Sequence, residues 1–174
     1  MKRRALMLAA AGAAAAAGGG ALWQWRARSD TPSAALPSLW TLQFDRPDGT
    51  ALAMAAFRGR PLLLNFWATW CPPCVKELPL IDQFQREQRT RGWQVVGLAV
   101  DQRAPVLAFL QRQPVGFEVG LAGLEGTELA RSLGNAGGGL PFTIAFDRHG
   151  GLIERKLGTL KPEDLARWAA ATAA

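Results

Sequence analysis

Two cysteines, Cys71 and Cys74, are the only ones in the 174-residue chain, and they lie in the run Trp-Ala-Thr-Trp-Cys-Pro-Pro-Cys at positions 67–74. The pattern predicts a strand over 61–66 and a helix over 75–89, so Cys71 falls at the start of a helix. Unpaired backbone N–H groups and the positive end of the helix dipole favour a thiolate there. A thiolate attacks disulfides, and a second cysteine one turn further on resolves the mixed disulfide.

A structural disulfide is the alternative role for this pair. A bridge that closes so short a loop restrains little of the unfolded chain, which argues against it. The spacing therefore indicates thiol–disulfide exchange. Pro72 fits the first helical position, and together with Pro73 it stiffens the backbone that carries the two thiols. Trp67 is expected in the core and Trp70 at the partly exposed rim of the site, where it contacts substrate.

The elements around the pair predict an α/β fold, with a mixed sheet covered by helices on both faces. A hairpin is expected from 39–44 and 51–54, joined by a Pro-Asp-Gly turn. The continuous apolar run 62–66 is typical of a buried central strand, and Pro79 predicts a kink in the following helix. The other elements are strands at 93–100, 142–146 and 152–157 and helices at 104–112, 127–133 and 162–173, with one further strand left open between the first two of these helices.

The net charge of +6 does not predict a nucleic-acid-binding surface. Residues 1–30 carry five basic side chains and one acidic one, a net +4, which leaves +2 spread thinly over 31–174. No nucleic-acid partner is expected, because a concentrated basic stripe is missing. No metal site is expected either, since a four-ligand zinc site needs more cysteine or histidine than this chain has. Its single histidine, His149, falls in a turn between two predicted strands.

Residues 1–25 predict a signal or membrane anchor. A basic triplet at positions 2–4 precedes an uncharged run over 5–24, which is the order found in export signals. The run is long enough to span a membrane and ends near two tryptophans, which favours an anchor; its Ala- and Gly-rich composition and a small-residue site allow cleavage instead. Residues 26–37 predict a linker, and 38–174 form the domain. We expect this domain in the bacterial periplasm, tethered to the inner membrane, or soluble there after cleavage.

The chain resembles the thioredoxin superfamily, and within it the TlpA/ResA-type branch of exported, often membrane-tethered thiol–disulfide oxidoreductases. The resemblance covers residues 38–170 or so. It rests on the run from Asn65 to Cys74 followed by Glu77 and Pro79, on Phe57-Arg58-Gly59 after the hairpin, and on Leu140-Pro141 before a strand. It implies a thioredoxin-like mixed sheet with helices on both faces and an N-terminal β-hairpin extension.

The resemblance also implies the roles of the site residues. Cys71 is the attacking thiol and Cys74 the resolving thiol. Pro141, in the cis form, holds the backbone of Leu140 beside Cys71, where it pairs with an extended substrate peptide. The alternative for Pro141 is an ordinary trans loop proline.

Glu77 follows Cys74 by three residues, on the same face of the helix. If Glu77 is buried, its pKa rises and it can exchange protons with the thiols; the alternative is an exposed helix carboxylate. Asn65 stands where thioredoxins carry a buried Asp, so the resemblance makes Glu77 the substitute acid and Asn65 a structural support. The glycine-rich loop over 134–139 is longer than the family's usual approach to the cis-proline.

The function that follows from the resemblance is reduction of specific protein disulfides outside the cytoplasm. The implied substrates are haem-binding cysteines of apocytochrome c or cysteines of copper-centre assembly proteins, and the implied electron donor is a membrane thiol protein. No cofactor is implied. Two alternatives stay open: a broad disulfide oxidase or isomerase, and a delivery protein that binds Cu(I) through both thiolates. Such carriers add a Met or His ligand, for which Met54 and His149 are the candidates in the domain.

Overall fold

The computed structural model describes residues 35–172. The predicted signal or anchor over 1–25 and nearly all of the predicted linker over 26–37 lie outside the described residues. Within 35–172, no helix has the length and apolar character needed to cross a bilayer.

The described part of the chain alternates strands and helices around one sheet. Its strands are β1 (Gln43–Asp45), β2 (Ala51–Ala53), β3 (Leu62–Trp67), β4 (Gln94–Ala99), β5 (Glu118–Leu121), β6 (Phe142–Phe146) and β7 (Leu152–Leu157). Its helices are α1 (Ala35–Leu39), α2 (Pro72–Gln88), α3 (Arg103–Arg112), α4 (Gly126–Ser132) and α5 (Pro162–Ala171), with short 3-10 turns at Met54–Phe57 and Arg89–Arg91.

The seven strands form a mixed sheet in the order β2-β1-β5-β4-β3-β6-β7. Strands β3, β4 and β5 run parallel, whereas β6 lies antiparallel beside β3 and β7 antiparallel beside β6. Strands β1 and β2 form the expected N-terminal hairpin at one edge. The predicted α/β fold with helices on both faces is therefore confirmed.

Two apolar clusters cover the opposite faces of the sheet. Along β3, Leu63 and Trp67 belong to one cluster and Leu62, Leu64 and Phe66 to the other, because successive side chains of a strand point to opposite faces. The first cluster is completed by α2, α3 and α5 and contains both cysteines. The second is completed by α1, the first 3-10 turn and α4.

The start of the domain differs from the predicted strand over 39–44. Helix α1 extends to Leu39, a turn follows at 40–41, and β1 begins only at Gln43. Leu36, Leu39 and Trp40 are buried in the second cluster, and their i, i+3, i+4 spacing is that of one helical face. Helix α2 also begins earlier than predicted, at Pro72, and continues through Pro79 to Gln88.

Candidate active site

The paired cysteines lie at one edge of the sheet, where several strand ends meet. Parallel strands β3 and β4 both end there, with Trp67 opposite Ala99. Antiparallel β6 begins there, with Phe142 opposite Phe66. The loop after β3 carries the cysteines and the loop before β6 carries Pro141, so the sheet brings these two loops to the same edge.

Cys71 and Cys74 form a disulfide with an S–S distance of 2.09 Å. Cys71 occupies the N-cap of α2, as predicted, and its sulfur accepts a hydrogen bond from the Cys74 N–H at 3.4 Å. Cys71 is 5% exposed and Cys74 is fully buried, so the expected attacking thiol is the more accessible one. Pro72 occupies the first helical position, and both Pro72 and Pro73 are exposed beside the disulfide.

Glu77 is a buried acid one helical turn behind Cys74, with 2% of its surface exposed. Its Oε1 accepts a hydrogen bond from Asn65 Nδ2 and its Oε2 accepts one from the Leu160 N–H, each at 2.8 Å. Burial raises the pKa of Glu77 above its ordinary value of 4.5, although these two hydrogen bonds act in the opposite direction. The alternative of an exposed helix carboxylate is therefore excluded.

Asn65 links the acid to the neighbouring strand. Its Nδ2 donates to Thr143 Oγ1 at 2.9 Å as well as to Glu77. Asn65 on β3 pairs with Thr143 on β6, and both are fully buried. Asn65 Oδ1 has no partner among the described residues. Sequence reasoning missed Thr143, because a threonine in an apolar strand shows its contact only once the register is known.

Asp101 holds the turn that precedes the disulfide. Its Oδ2 accepts hydrogen bonds from the Thr69 N–H, at 3.0 Å, and from the Thr69 hydroxyl. Its Oδ1 accepts from the Gln102 N–H at 2.7 Å. Asp101 is 7% exposed and was not predicted. A signal was available, because an acid directly after a parallel strand lies at the same sheet edge as the loop after β3.

The two tryptophans of the motif have different environments. Trp67 is fully buried and packs against Phe109, with ring centroids 5.4 Å apart. Trp70 is 62% exposed directly before Cys71. Trp70 therefore has the exposure predicted for the rim of the site, and its contact with substrate, to which an indole offers apolar area, stays a prediction.

The peptide bond between Leu140 and Pro141 is cis, as the resemblance implied. The Pro141 carbonyl accepts a hydrogen bond from the Gly158 N–H at 2.9 Å, which ties the loop to the end of β7. Leu140 is half-buried, and Leu157 on β7 is 57% exposed. This edge of the sheet therefore carries two exposed apolar side chains, Trp70 directly before Cys71 and Leu157 at the end of β7, opposite Phe142.

The structure does not bring the candidate third copper ligands to the cysteines. Met54 is fully buried in the cluster on the opposite face of the sheet from Cys71 and Cys74. His149 is exposed in the turn between β6 and β7, at the other end of β6 from Pro141. Among residues 35–172, no three Cys, His, Asp or Glu side chains are grouped as metal ligands would be.

Comparison with solved structures places this architecture among thioredoxin-fold redox proteins. A thiol:disulfide interchange protein from Chlorobium tepidum TLS superposes with a TM-score of 0.64 at 29% identity, over 75% of this chain and 92% of that one. The fold is also that of MTB dsbF, with a TM-score of 0.67 at 24% identity, over 79% and 98% of the two chains. The fold and the vicinal cysteine pair define a thiol–disulfide oxidoreductase.

The family follows from the sequence match. The model of the Redoxin family matches residues 31–171, and the chain belongs to that family. Among its curated relatives is the thiol–disulfide oxidoreductase ResA of Bacillus anthracis, which is 27% identical over 119 residues. The match covers 68% of this chain and 66% of that relative's length.

Proposed function

We propose that this chain reduces specific protein disulfides through the Cys71–Cys74 dithiol, outside the cytoplasm. The observation that supports the proposal most directly is the cysteine pair at the start of α2, with the buried acid Glu77 one turn behind it. The reduced pair donates two electrons and two protons to a substrate disulfide. A membrane thiol protein of the same chemistry then restores the dithiol.

The proposed reaction proceeds through a mixed disulfide. The Cys71 thiolate attacks one sulfur of the substrate, a Cys71–substrate S–S bond forms, and the other substrate sulfur leaves as a thiolate that takes up a proton. Cys74 then loses its proton and attacks the Cys71 sulfur, which releases the second substrate thiolate and closes the Cys71–Cys74 disulfide. We assign the uptake of the Cys74 proton to Glu77; its raised pKa and its position one helical turn from Cys74 support this assignment.

The buried acid favours reduction over oxidation. A strongly oxidising pair stabilises its reduced form through a favoured Cys thiolate. Here the helix dipole favours the Cys71 thiolate, but an ionised Glu77 carboxylate one turn from Cys74 opposes a second negative charge nearby. We therefore expect a reduction potential nearer to that of thioredoxin than to that of a disulfide oxidase. Equilibration of the dithiol with glutathione and dithiothreitol buffers measures it, and a potential in the oxidase range would favour the oxidase or isomerase alternative.

Trapping identifies the substrate. A Cys74→Ser variant keeps the attacking thiol but cannot resolve the mixed disulfide, so it accumulates covalent adducts with its natural partner. Mass spectrometry of adducts from cells names that partner; apocytochrome c and copper-centre assembly proteins are the candidates that we propose. The matched control is Cys71→Ser, which should trap nothing. Recovery of glutathione alone would contradict a specific protein substrate.

We further propose that residues 1–25 tether the domain to the outer face of the inner membrane. The support is a basic triplet at 2–4 before the uncharged run over 5–24. Fractionation of cells that express the full chain, followed by N-terminal sequencing, tests the proposal. A soluble periplasmic form that begins near Leu22 would show instead that the segment is a removed signal.

A further inference from the structure

We propose that Asn135 is a positioning residue for substrate docking, because its side chain closes the glycine-rich loop that leads into the cis-proline. Asn135 Nδ2 donates a hydrogen bond to the Gly139 carbonyl at 2.7 Å. Gly139 directly precedes Leu140, whose backbone is expected to pair with the substrate chain. Asn135 thereby acts through the loop and not on the reacting sulfurs.

Several contacts show that Asn135 is built into the loop as its anchor. Asn135 is 3% exposed, and its own N–H donates to the Ala130 carbonyl of α4 at 2.9 Å. Its carbonyl accepts from the Gly138 N–H, also at 2.9 Å. The residue therefore holds helix α4 at one end and the Gly138–Gly139 pair at the other.

The loop depends on such an anchor because four of its six residues are glycines, three of them consecutive. Positions 137–139 lack the side chains that would restrict their backbone, and a glycine loses more conformational freedom on ordering than any other residue. Gly138 has a φ of +64°, and a Cβ built on it would lie 3.0 Å from a Thr127 methyl group. The glycines permit the tight turn, and the Asn135 side chain selects it among the conformations that they allow.

The Asn135–Gly139 hydrogen bond supports the side of Leu140 that is not held by a strand. On the far side of Leu140, the Pro141 carbonyl is held by the Gly158 N–H at the end of β7, and β6 begins at Phe142. On the near side, the Asn135–Gly139 bond is the side-chain hydrogen bond that holds the approach to Leu140. Without it, the Leu140 backbone keeps its cis-proline but loses its fixed direction relative to Cys71.

Two colorimetric probes with the same leaving group separate docking from thiol chemistry. The first is an extended octapeptide whose single cysteine is joined to 2-nitro-5-thiobenzoate; the second is 5,5′-dithiobis(2-nitrobenzoate), which has no peptide to dock. We expect Asn135→Ala in the reduced full-length protein to lower the peptide kcat/KM by about tenfold or more, since small misplacements of a reactant carry penalties of this order. The rate with the small disulfide should stay within about twofold, because thiolate formation is untouched.

A second variant and a matched control complete the test. Asn135→Leu keeps a side chain of similar shape without the donor and should reproduce the selective loss. Asp147→Ala removes side-chain hydrogen bonds from the His149 and Gly151 N–H groups at the opposite end of β6, and should slow neither probe. An equal loss on both probes, no loss on the peptide, or an equal selective loss in Asp147→Ala would overturn the proposal.

Discussion

The buried carboxyl of Glu77 makes a quantitative prediction for the pH dependence of stability. A group whose pKa is raised on folding stabilises the native state fully below its unfolded pKa, and this contribution is lost as the pH rises through the folded pKa. For Glu77 the loss therefore begins near 4.5 and continues up to its raised pKa. The side chain at position 77 cannot ionise in a Glu77→Gln variant, so the stability of the variant should not show this decline with rising pH.

Glutamine is the right replacement because the site can accept it. Leu160 N–H still finds an acceptor in the Gln side-chain oxygen. The Gln amide nitrogen would face Asn65, whose Oδ1 is buried and unpartnered among the described residues; a turned Asn65 amide presents that oxygen as an acceptor. The variant should therefore fold, with a stability within about 1 kcal/mol of the parent at pH values where Glu77 is protonated.

The magnitude follows from linkage. Each pH unit between 4.5 and the raised pKa removes about 1.4 kcal/mol of the parent's stability relative to the variant. Urea unfolding of the oxidised protein from about pH 4, below the ordinary carboxyl pKa of 4.5, up to about pH 8 measures both curves. The free energy of unfolding of the variant should increase relative to that of the parent as the pH rises, and the difference should become constant above the raised pKa.

Asp164 is a second buried carboxyl, and it supplies a control because its pKa shift has the opposite sign. Burial acts to raise the pKa of Asp164, but the Lys161 N–H, Arg167 and Lys156 outweigh it and hold that pKa below its ordinary value. The free energy of unfolding of Asp164→Asn should therefore lie below that of the parent by a constant amount above pH 3.8, where Asp164 is ionised in both states, and this difference should shrink only as the pH falls below 3.8. If the parent and Glu77→Gln curves run parallel from pH 4 to pH 8, the assignment of a raised pKa to Glu77 is wrong.

Three further outcomes are expected. Glu77→Gln should also slow peptide disulfide reduction and flatten its pH–rate profile, and an unchanged profile would remove Glu77 from the proton transfer. After reduction, iodoacetamide at mildly acidic pH should label Cys71 before Cys74, as peptide mapping would show, because only Cys71 lies at the helix N-terminus and reaches solvent; the reverse order would exchange their roles. Asp101→Ala should lower the free energy of unfolding in urea by about 2–4 kcal/mol, because three hydrogen bonds to a carboxylate are lost. Thr69→Val should lower it by less. Equal stabilities of the parent and Asp101→Ala would show that Asp101 does not hold the turn.

The sequence predicted those parts of the site that depend only on which residues follow one another along the chain. The N-cap position of Cys71 and the first-turn position of Pro72 follow from a strand, a short motif and a helix in succession. Leu140-Pro141 was recognisable because the cis-proline loop is a motif of the superfamily. The hairpin at the N-terminus followed from its turn residues. Its first strand begins at Gln43 and not at Leu39, because the alternation over 39–44 overlaps the helical face that buries Leu39 and Trp40.

The parts that sequence could not supply depend on contacts between distant segments. Glu77 meets Leu160 across 83 positions, and Asn65 meets Thr143 across 78. Nothing in the local pattern distinguishes these partners from other polar residues in apolar surroundings, since the strand register and the packing of α5 determine the pairing. Asn135 was missed for a different reason. A loop asparagine usually hydrogen-bonds within its own turn, and the burial of Asn135 is seen only in the three-dimensional structure.

The hydrogen bond between Glu77 and the Leu160 N–H sets a lower limit on the size of an active fragment. A chain cut after β7 would keep both cysteines, the cis-proline and every strand of the sheet. It would lose Leu160 and helix α5 with its buried Trp168, so water would reach the Glu77 carboxyl and return its pKa toward that of a free side chain. We therefore expect a minimal catalytic unit to extend through α5, although this helix carries no reactive group.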